Sequence, residues 1–393
     1  MSYINFMLNK PYTAVWNQSI AHIDRSQWNK LAIPNKNPFM EWEWFYMLEV
    51  SKSANEEKGW KPNHLTLFEN NHLIAVAPLY IKTNSEGEYV YDLDWVQISK
   101  RIESSYYPKM VGMTPLTPVP GYRFLIDPDY DEMMTTRIMV NLIHQFCKQY
   151  RLSGCNFLFV DPKWVPVMIL MEFAEWKHYT FQWNNSGFDS FDDYLCSFNA
   201  NQRKNIRKER KALDEQNIDL KIHTGNQIQS DFYSKMSEFY QKTSFRYNPS
   251  GNRYLTSGFF HCLKDYYSHR SMFISAFSKN NPDDPLALAY FVYKKNMLFG
   301  RYWGTNFDIP FLHFNLCYYA GIEWAINHNI QIFDPGAGGA HKPRRGFPAT
   351  PVYSLHHFYD WRMQFLLLKH IDKINSLEQQ EIDLLNANLP FSV

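Results

Sequence analysis

The chain has 393 residues, of which 45% are hydrophobic, and a formal net charge of +1 at neutral pH. This length exceeds what one hydrophobic core usually fills, and two domains are expected, over residues 1–175 and 176–393. The near-zero net charge excludes a global field that recruits nucleic acid or a membrane surface, so any such contact must come from a local patch.

The sequence lacks targeting and spanning segments. No run approaches the roughly 18 apolar residues that a membrane span needs. The N-terminus, MSYINFMLNKPYTAVW, has no basic stretch leading into an apolar core. The five cysteines are scattered and show no CxxC spacing, which is typical of thiols in a reducing compartment. A soluble cytoplasmic protein is expected, and no feature indicates an oligomeric state.

The first half of the chain mixes helical and strand patterns. Apolar residues at helical spacing and alternating runs predict the following elements: helices over 26–31, 39–51 and 131–150, and strands within 60–82, over 88–96 and over 154–160.

The stretch 106–123, YYPKMVGMTPLTPVPGYR, differs in kind from its neighbours. Four prolines and two glycines in it argue against a regular element. Because it is also apolar and aromatic, it is interpreted as a loop that lines a cleft, with Lys109 and Arg123 as its cations and candidate ligand contacts. Anchoring to the protein surface is the alternative.

A helix dense in cations is predicted next. Asn199 or Asn201 can cap it, and it carries six cations against Glu209 within nine residues. Arg203 and Arg207 share one face with Arg210, while three lysines occupy the adjoining face. A solvated surface is the usual explanation, and contact with phosphate or nucleic acid is the alternative.

The second half continues with helices and an antiparallel meander. The patterns predict these elements: helices over 232–247, 254–267 and 312–329 and in a tail from 360, and strands over 272–278, 286–294, 298–303 and 331–333. The helix over 312–329 is expected to place His313 and Glu323 on one face, with Tyr318 and Tyr319 close by.

The last of these strands leads into FDPGAGGAHKPRRGF, residues 333–347. Glycine permits positive φ and close approach of a ligand to backbone N–H groups, and successive N–H groups form a concavity that suits an anion. An imidazole and three cations follow at once, among them Arg345, whose guanidinium offers a bidentate fork. The pattern predicts an anion-binding loop, and a tight surface loop with solvated charges is the alternative.

Six blocks resemble, in order and spacing, the FemAB-like predicted N-acyltransferases. They are EYVYDLDW (88–95), YYPKMVGMTPLTPVPGYR (106–123), RKNIRKER (203–210), GRYWG (300–304), LHFNLCYYAGIEWAI (312–326) and GAGGAHKPRRGF (336–347). The resemblance covers about residues 38–365. It implies an α+β fold of two tandem GNAT-like acyl-CoA N-acyltransferase domains, each a mostly antiparallel sheet flanked by helices. It also implies transfer of an acyl or aminoacyl group to an amine, of a peptidoglycan precursor or an amino acid.

The resemblance assigns roles to particular residues and also shows departures. Arg203 and Arg207 match recurrent basic positions, and His341, Lys342, Arg345 and Gly346 match the glycine-loop signature. Where the family usually shows Gln and Glu in the glycine loop, this chain has Gly338 and Ala340, and Asn315 replaces a Glu after LHF. Two carboxylate positions of the family pattern are therefore empty.

Amine acylation needs a neutral amine, a polarised carbonyl and a place for the phosphates of the carrier. Unperturbed histidine suits the base, so His341 is the first candidate and His313 the second; Glu323 and Asp334 are weaker ones. Tyr318 or Tyr319 could return a proton to the leaving group. The predicted binding residues are the N–H groups of Gly336, Gly338 and Gly339, the side chains of Lys342, Arg345 and Arg301, and Asn315 and Tyr319.

The carrier is open between two classes. The coenzyme-A signature, a basic residue followed by paired glycines, is not clearly present, because Arg345-Gly346 is followed by phenylalanine and proline. Aminoacyl-tRNA is at least as plausible as acyl-CoA. No tightly bound cofactor is expected, and no metal, because the histidines lack HExxH or comparable spacing. The alternatives to an enzyme are a catalytically degenerate module that recognises a peptide or cell-wall fragment, and an RNA-binding protein that uses residues 203–211.

Overall fold

The computed structural model describes residues 12–247 and 254–392. Residues 1–11, which begin the N-terminal stretch discussed above, lie outside the described residues. The chain forms two compact units, Met1–His178 with Val352–Glu378 and Tyr179–Pro351 with Gln379–Val393. The division at 175/176 lies near the first crossing between units and stays a prediction, since the chain returns to the first unit after Pro351.

The strands are, in chain order, β1 (Tyr12–Asn17), β2 (Trp60–Pro62), β3 (His64–Glu69), β4 (His72–Ala77), β5 (Tyr80–Lys82), β6 (Lys109–Gly112), β7 (Leu125–Ile126), β8 (Gly154–Val160), β9 (Ala174–Phe181), β10 (Trp183–Asn184), β11 (Ile218–Thr224), β12 (Ser271–Ser278), β13 (Asn281–Lys294), β14 (Met297–Thr305), β15 (Ile332–Asp334) and β16 (Ala349–Phe358).

The α-helices are α1 (Arg25–Ala32), α2 (Trp42–Val50), α3 (Leu93–Arg101), α4 (Glu132–Gln149), α5 (Val165–Ile169), α6 (Phe191–Cys196), α7 (Ala200–Glu215), α8 (Ser230–Tyr247), α9 (Ser257–Tyr267), α10 (Leu312–Phe314), α11 (Ala320–Asn327) and α12 (Trp361–Ala387). A π-helical turn, Asn315–Tyr319, joins α10 to α11. Short 3₁₀ turns include Pro343–Arg345.

The first unit contains two sheets. One has the order β1-β3-β4-β7 and is antiparallel, and the other has the order β2-β5-β6-β8-β16-β9. Within the second sheet β6 and β8 are parallel, with Met110 opposite Cys155. Every residue of β8 is buried, as expected for an inner strand covered on both faces.

The second unit has one six-stranded sheet of order β10-β15-β14-β13-β12-β11. Neighbours from β11 to β14 are antiparallel, whereas β14 and β15 are parallel, with Phe299 opposite Asp334. Opposite Tyr290 and Phe291, β14 contributes Tyr302 and Gly300, so Arg301 is the extra residue of a β-bulge. Bulges re-aim side chains at the end of regular pairing, and this one lies just beyond the point where β15 ends.

The π-helical turn changes which residues of the α10–α11 segment share a face. A π turn has one residue more per hydrogen-bonded ring than an α turn, so the regular 3.6-residue spacing is interrupted between His313 and Glu323. The expectation that these two side chains line one face is wrong. Tyr318 and Tyr319, inside the π turn, are both buried.

Two predictions for the first unit are also wrong. Residues 88–96 form no strand, because Asp92 precedes α3 and Trp95 on that helix is buried in an aromatic cluster with Tyr106 and Phe358. The stretch 106–123 is not wholly irregular. It contains β6, whose backbone pairs with β5 and β8 in spite of the surrounding prolines.

Candidate functional site

The glycine loop follows β15 and has the backbone conformation that its glycines permit. Gly336, Gly338 and Gly339 have φ values of 90°, 66° and 97°, a region that residues with a Cβ rarely adopt. The N–H of Gly336 donates to Asp334 Oδ1 at 2.8 Å. Burial raises the pKa of Asp334. The start of the loop is therefore held against the end of β15.

The buried side chain of Lys342 stabilises the same loop by donating to its backbone carbonyls. Its ammonium group donates to the carbonyl oxygens of Gly336 and, at 3.4 Å, Ala337, and the residue is only 2% exposed. Burial lowers its pKa to about 8. Lys342 was predicted to neutralise a phosphate, but the structure commits its ammonium to loop carbonyls.

Arg345 forms a buried ion pair with Glu209 of α7. One guanidinium nitrogen lies 2.8 and 2.9 Å from the two carboxylate oxygens, and another donates to the carbonyl of His341 at 3.1 Å. The guanidinium also lies 3.4 Å from the ring centroid of Phe314. The Tyr319 hydroxyl donates to the same carboxylate. Glu209 thus links the basic helix, the π turn and the glycine loop.

His341 and Tyr318 form the hydrogen-bonded pair of the site. The Tyr318 hydroxyl and His341 Nε2 are 2.8 Å apart. Burial lowers the pKa of His341 to about 4, with Arg345 and Lys342 as smaller causes, so the imidazole is neutral at pH 7. Burial raises the pKa of Tyr318, which keeps the phenol protonated.

His313 lies beside this pair but is packed among aromatic rings. Its ring centroid is 5.7 Å from that of His341 and 4.4 Å from that of Trp303. Burial, with His341 as the next cause, lowers its pKa to about 3. The structure therefore brings both candidate histidines together and places His341 on the cavity described next.

A cavity of about 600 Å³, called the first cavity, opens beside the loop. Helix α7 lines one side, residues of the α10 region another, and the glycine loop the third: Gln202, Asn205, Lys208, Glu209, Phe311, Phe314, Ala340, His341, Arg344 and Arg345. Phe311 has a φ of 62°, which is strained for a bulky residue and recurs at functional sites.

Three further residues predicted for the site, Arg301, Asn315 and Glu323, do not line the first cavity. Arg301, on the bulge of β14, partly offsets the rise in the pKa of Asp334 that burial causes. Asn315 donates to the carbonyl of Glu209 at 2.9 Å. Glu323 pairs with Arg210 at 2.7 Å and lines a different cavity. Among the described residues, neither Asn315 nor Glu323 makes a hydrogen bond to the His341–Tyr318 pair.

The cations of the basic helix, α7, differ in their surroundings. Asn199 caps it, accepting from the N–H of Gln202 at 3.0 Å. Arg203 donates to two carbonyls of the preceding turn, those of Cys196 and Phe198, while Arg207 is exposed. Lys208 is the cation of this helix that lines the first cavity.

Lys109 and Arg123 belong to the first unit. Lys109 is 1% exposed and pairs with Glu88 at 2.8 Å and Asp92 at 2.7 Å. Arg123 pairs with Glu132 and, at 3.4 Å, with Asp161. Both cations have carboxylate partners, so Lys109 in particular is not presented to a ligand.

Sequence reasoning missed Glu209, Lys208 and Arg344 as lining residues. Glu209 is the lone acid among six cations of RKNIRKERK, and that isolation was the available signal. Its partner Arg345 is 136 residues away, so no local spacing could connect them.

A family model described as FemAB-like, peptidoglycan biosynthesis/recognition, matches residues 19–393. The chain belongs to the FemAB-like family. This confirms the predicted family, and the helices and sheets described above confirm the predicted α+β class. No curated protein sequence matches this FemAB-like chain significantly.

Solved structures similar to this FemAB-like chain share its fold at low identity. FemX is 11% identical with a TM-score of 0.53, covering 90% of this chain and 99% of FemX. The C-terminal domain of a putative lysylphosphatidylglycerol synthetase from Agrobacterium fabrum is 9% identical, with a TM-score of 0.52 and coverage of 89% and 96%. A conserved protein of unknown function from Bacteroides thetaiotaomicron is 7% identical, with a TM-score of 0.51 and coverage of 88% and 99%. These similarities concern the fold alone.

Residues 12–247 and 254–392 contain neither a cluster of metal ligands nor a membrane-spanning helix. No group of three or more His, Cys, Asp or Glu side chains is arranged to hold a metal ion. No helix in this part of the chain is long and apolar enough to cross a membrane.

Proposed function

We propose that the chain transfers an aminoacyl group from a phosphate-bearing carrier to an amine of a peptidoglycan-type or lipid acceptor. Aminoacyl-tRNA is the favoured carrier and acyl-CoA the other candidate. The observation that carries the proposal is the first cavity, which places three cations beside the neutral His341–Tyr318 pair at the end of the parallel strands β14 and β15.

The cations of this cavity suit the carrier. Lys208 and Arg344 are exposed residues that line it from two sides. Arg345 is buried and already paired with Glu209. Phosphate oxygens accept strong hydrogen bonds from such groups, so the exposed pair would hold the carrier while Arg345 keeps the cavity wall in place.

The reaction needs one bond to form and one to break. The amine nitrogen attacks the acyl carbon, a C–N bond forms, and the C–O bond to the carrier ribose, or the C–S bond of a thioester, breaks. His341 accepts the proton that the amine loses, directly or through Tyr318, and the same pair returns it to the leaving oxygen or sulfur. A histidine with a pKa near 4 is a weak base, and a carrier phosphate held by Lys208 and Arg344 beside His341 would raise that pKa by favouring the protonated imidazole.

The family description and the fold of an aminoacyl-lipid synthetase relative support the class of reaction. The replacement of family acids by Asn315 and Ala340 does not remove every carboxylate, since Glu209 lines the first cavity. That carboxylate is occupied by Arg345 and Tyr319, so we assign it a positioning role.

The test is transfer of a labelled amino acid from a mixture of aminoacyl-tRNAs to peptidoglycan precursors and to aminoacyl-accepting lipids. His341→Ala is expected to lower transfer by about 10² to 10⁴-fold, the usual range for a general base, while His370→Ala, at an exposed position of α12, leaves it unchanged. Transfer by His341→Ala at the wild-type rate would remove this histidine from the mechanism.

A recognition module without catalysis is the second candidate, favoured by the two missing acids and by the internal partners of Lys342 and Arg345. The same assay separates the two. Tight binding of a precursor or tRNA by a well-folded chain that transfers nothing from any donor would establish recognition instead.

A further inference from the structure

The outer side of α12 carries large apolar side chains near its N-terminal end. Trp361, Phe365 and Leu368 are 76%, 57% and 55% exposed. They are spaced i, i+4 and i+7, so they lie side by side along the helix. These three residues are called the apolar stripe.

The opposite side of the same helical turns is already packed in the first unit. Met363, Leu367 and Ile371 are buried in the cluster that contains Trp95 and Tyr106. A helix on the surface of a globular protein normally has polar residues on its outer side. Packing of the first unit therefore does not account for the apolar stripe.

Two lysines of α12 lie on one flank of the stripe. Lys369 and Lys373 are exposed, and at 3.6 residues per turn they lie roughly 70 to 110° around the helix axis from the stripe. The ion pairs that lysines make within the described part of the chain include neither of them. Both ammonium groups are therefore available to an anion outside the protein.

The end of α3 brings further cations to the start of α12. Ser104, three residues past the end of α3, hydrogen-bonds to Asp360, the residue before Trp361. Lys100 and Arg101 are the last two residues of α3, and both are exposed. Cations from two helices thus lie near the stripe.

Carboxylates near the stripe are fewer than cations. Asp360 is paired with Arg362 at 2.7 Å, and Glu103 also acts on the charge of Arg362. Asp372 is exposed and ends the stripe one turn beyond Leu368. These three carboxylates are outnumbered by five cations, Arg362 and the four named above, which gives this surface a local positive charge.

An apolar stripe with cations beside it matches the surface of an anionic bilayer. Trp and Phe side chains enter the boundary between headgroups and acyl chains, and lysine stems reach from that depth to the lipid phosphates. An apolar stripe alone would suit a protein partner equally well. The unpaired lysines on its flank favour anionic lipid.

We propose that the apolar stripe of α12 docks the protein on an anionic lipid bilayer. Trp361, Phe365 and Leu368 enter the headgroup–acyl boundary, and Lys369 and Lys373 contact lipid phosphates. This surface lies outside the first cavity, and the inference does not depend on the proposed transfer reaction.

The test is flotation of the full chain with lipid vesicles. Vesicles of phosphatidylcholine alone are compared with vesicles that contain about one-third phosphatidylglycerol. Binding to the anionic vesicles is expected to be at least about ten-fold stronger, because each lysine at the surface contributes about five-fold.

Substitution of the stripe localises the binding. Trp361→Ser with Phe365→Ser is expected to weaken binding to anionic vesicles about ten-fold or more, because less apolar area leaves water. The matched control, Ile169→Ser with Leu170→Ser, removes two apolar side chains that are 49% and 69% exposed outside α12. It should leave binding unchanged.

Substitution of the flanking lysines tests the choice of lipid. Lys369→Gln with Lys373→Gln keeps the apolar stripe and should remove most of the preference for anionic over neutral vesicles. This variant changes no apolar side chain, so it also serves if the serine variant of the stripe does not fold.

Equal binding to neutral and anionic vesicles, no binding to either, or unchanged binding in both α12 variants would each overturn the inference. Self-association of the chain without vesicles, abolished by Trp361→Ser with Phe365→Ser, would instead assign the stripe to an interface between copies. Transfer activity is a separate measurement, so a chain that transfers amino acids without binding vesicles would keep the proposed function and lose this surface.

Discussion

Glu209 shows how one residue can organise a site without a recognisable motif. Its carboxylate accepts from Arg345 and Tyr319, and its backbone carbonyl accepts from Asn315. Those donors come from the glycine loop and the π turn. Loss of this carboxylate leaves a guanidinium that is 95% covered by protein without its counter-ion, which is costly.

Glu209→Gln is therefore expected to lower the free energy of unfolding by roughly 2 to 4 kcal/mol, because the neutral amide keeps the shape but not the charge. Urea denaturation measures it. The matched control is Glu215→Gln on the same helix, where the pair with Lys211 is 62 to 75% exposed and is worth less than about 1 kcal/mol. Equal losses in the two variants would show that the buried pair is not structurally important.

The roles of the neighbouring cations also depend on burial. His341, Arg345 and the glycines were predicted from the sequence and do lie together. Lys342 and Arg345 could not be distinguished from solvent-facing cations by spacing, because HKPRRG carries no period that separates a buried side from an exposed one. Arg344, between them, is the exposed residue.

At the scale of elements, the glycine loop depends on backbone space as well as on φ. Gly336 has φ 90° and a Cβ there would lie 3.0 Å from the carbonyl oxygen of Gly300. Gly187 has φ 91° with no atom within 4 Å of its Cβ position. The two glycines thus share a conformation and differ in surroundings.

Alanine at either position is expected to be strained, and more so at Gly336. Gly187→Ala should lower the free energy of unfolding by about 1 kcal/mol through φ alone, and Gly336→Ala by roughly 2 to 3 kcal/mol, because the contact with Gly300 adds to it. Thermal and urea unfolding compare them. If Gly336→Ala is no less stable than Gly187→Ala, the backbone of β14 at Gly300 moves away from the added methyl group without a loss in the free energy of unfolding, and the expectation is wrong.

The π turn is the element that sequence periodicity could not predict. An amphipathic pattern over 312–329 predicts a continuous helix, whereas the structure has α10 and α11 on either side of a π turn, Asn315–Tyr319, and ends the helix at Asn327. That turn gives consecutive tyrosines different partners, His341 for Tyr318 and Glu209 for Tyr319. The extra residue leaves no mark in the hydrophobic pattern, since both tyrosines are apolar enough to be buried either way.

At the scale of the whole molecule, several histidines are buried in their neutral form. Burial lowers the pKa of His356 to about 3, of His178 to about 4 and of His313 to about 3. Their unfolded pKa is near 6.5. Between these values the unfolded chain binds more protons than the folded one, so the free energy of unfolding rises with pH over that window.

Stability is therefore expected to fall as the pH is lowered from 7 to 5. His356, which is 2% exposed, by itself lowers the free energy of unfolding at pH 5 by about 2 kcal/mol. Its contribution changes by about 1.4 kcal/mol for each pH unit below 6.5. Urea midpoints at pH 7 and pH 5 measure this change in the free energy of unfolding. In His356→Gln, the slope of that free energy against pH should fall by the equivalent of about one bound proton. Carboxylates with a lowered pKa, such as Asp360, act only below about pH 4. Identical midpoints at pH 5 and 7 would contradict the expectation.

The sequence by itself determined the family, the α+β class, the glycine loop with its histidine, and most helices and strands, because these depend on local conformation and on the period of apolar residues. Only the tertiary structure decided the partners of the charged groups. Glu209 pairs with Arg345, which is 136 residues away, and Lys342 donates to carbonyls of its own loop. Glu323 pairs with Arg210 and does not share a face with His313. The reason is physical: burial and ion pairing are properties of three-dimensional neighbours, which no local spacing of residues encodes.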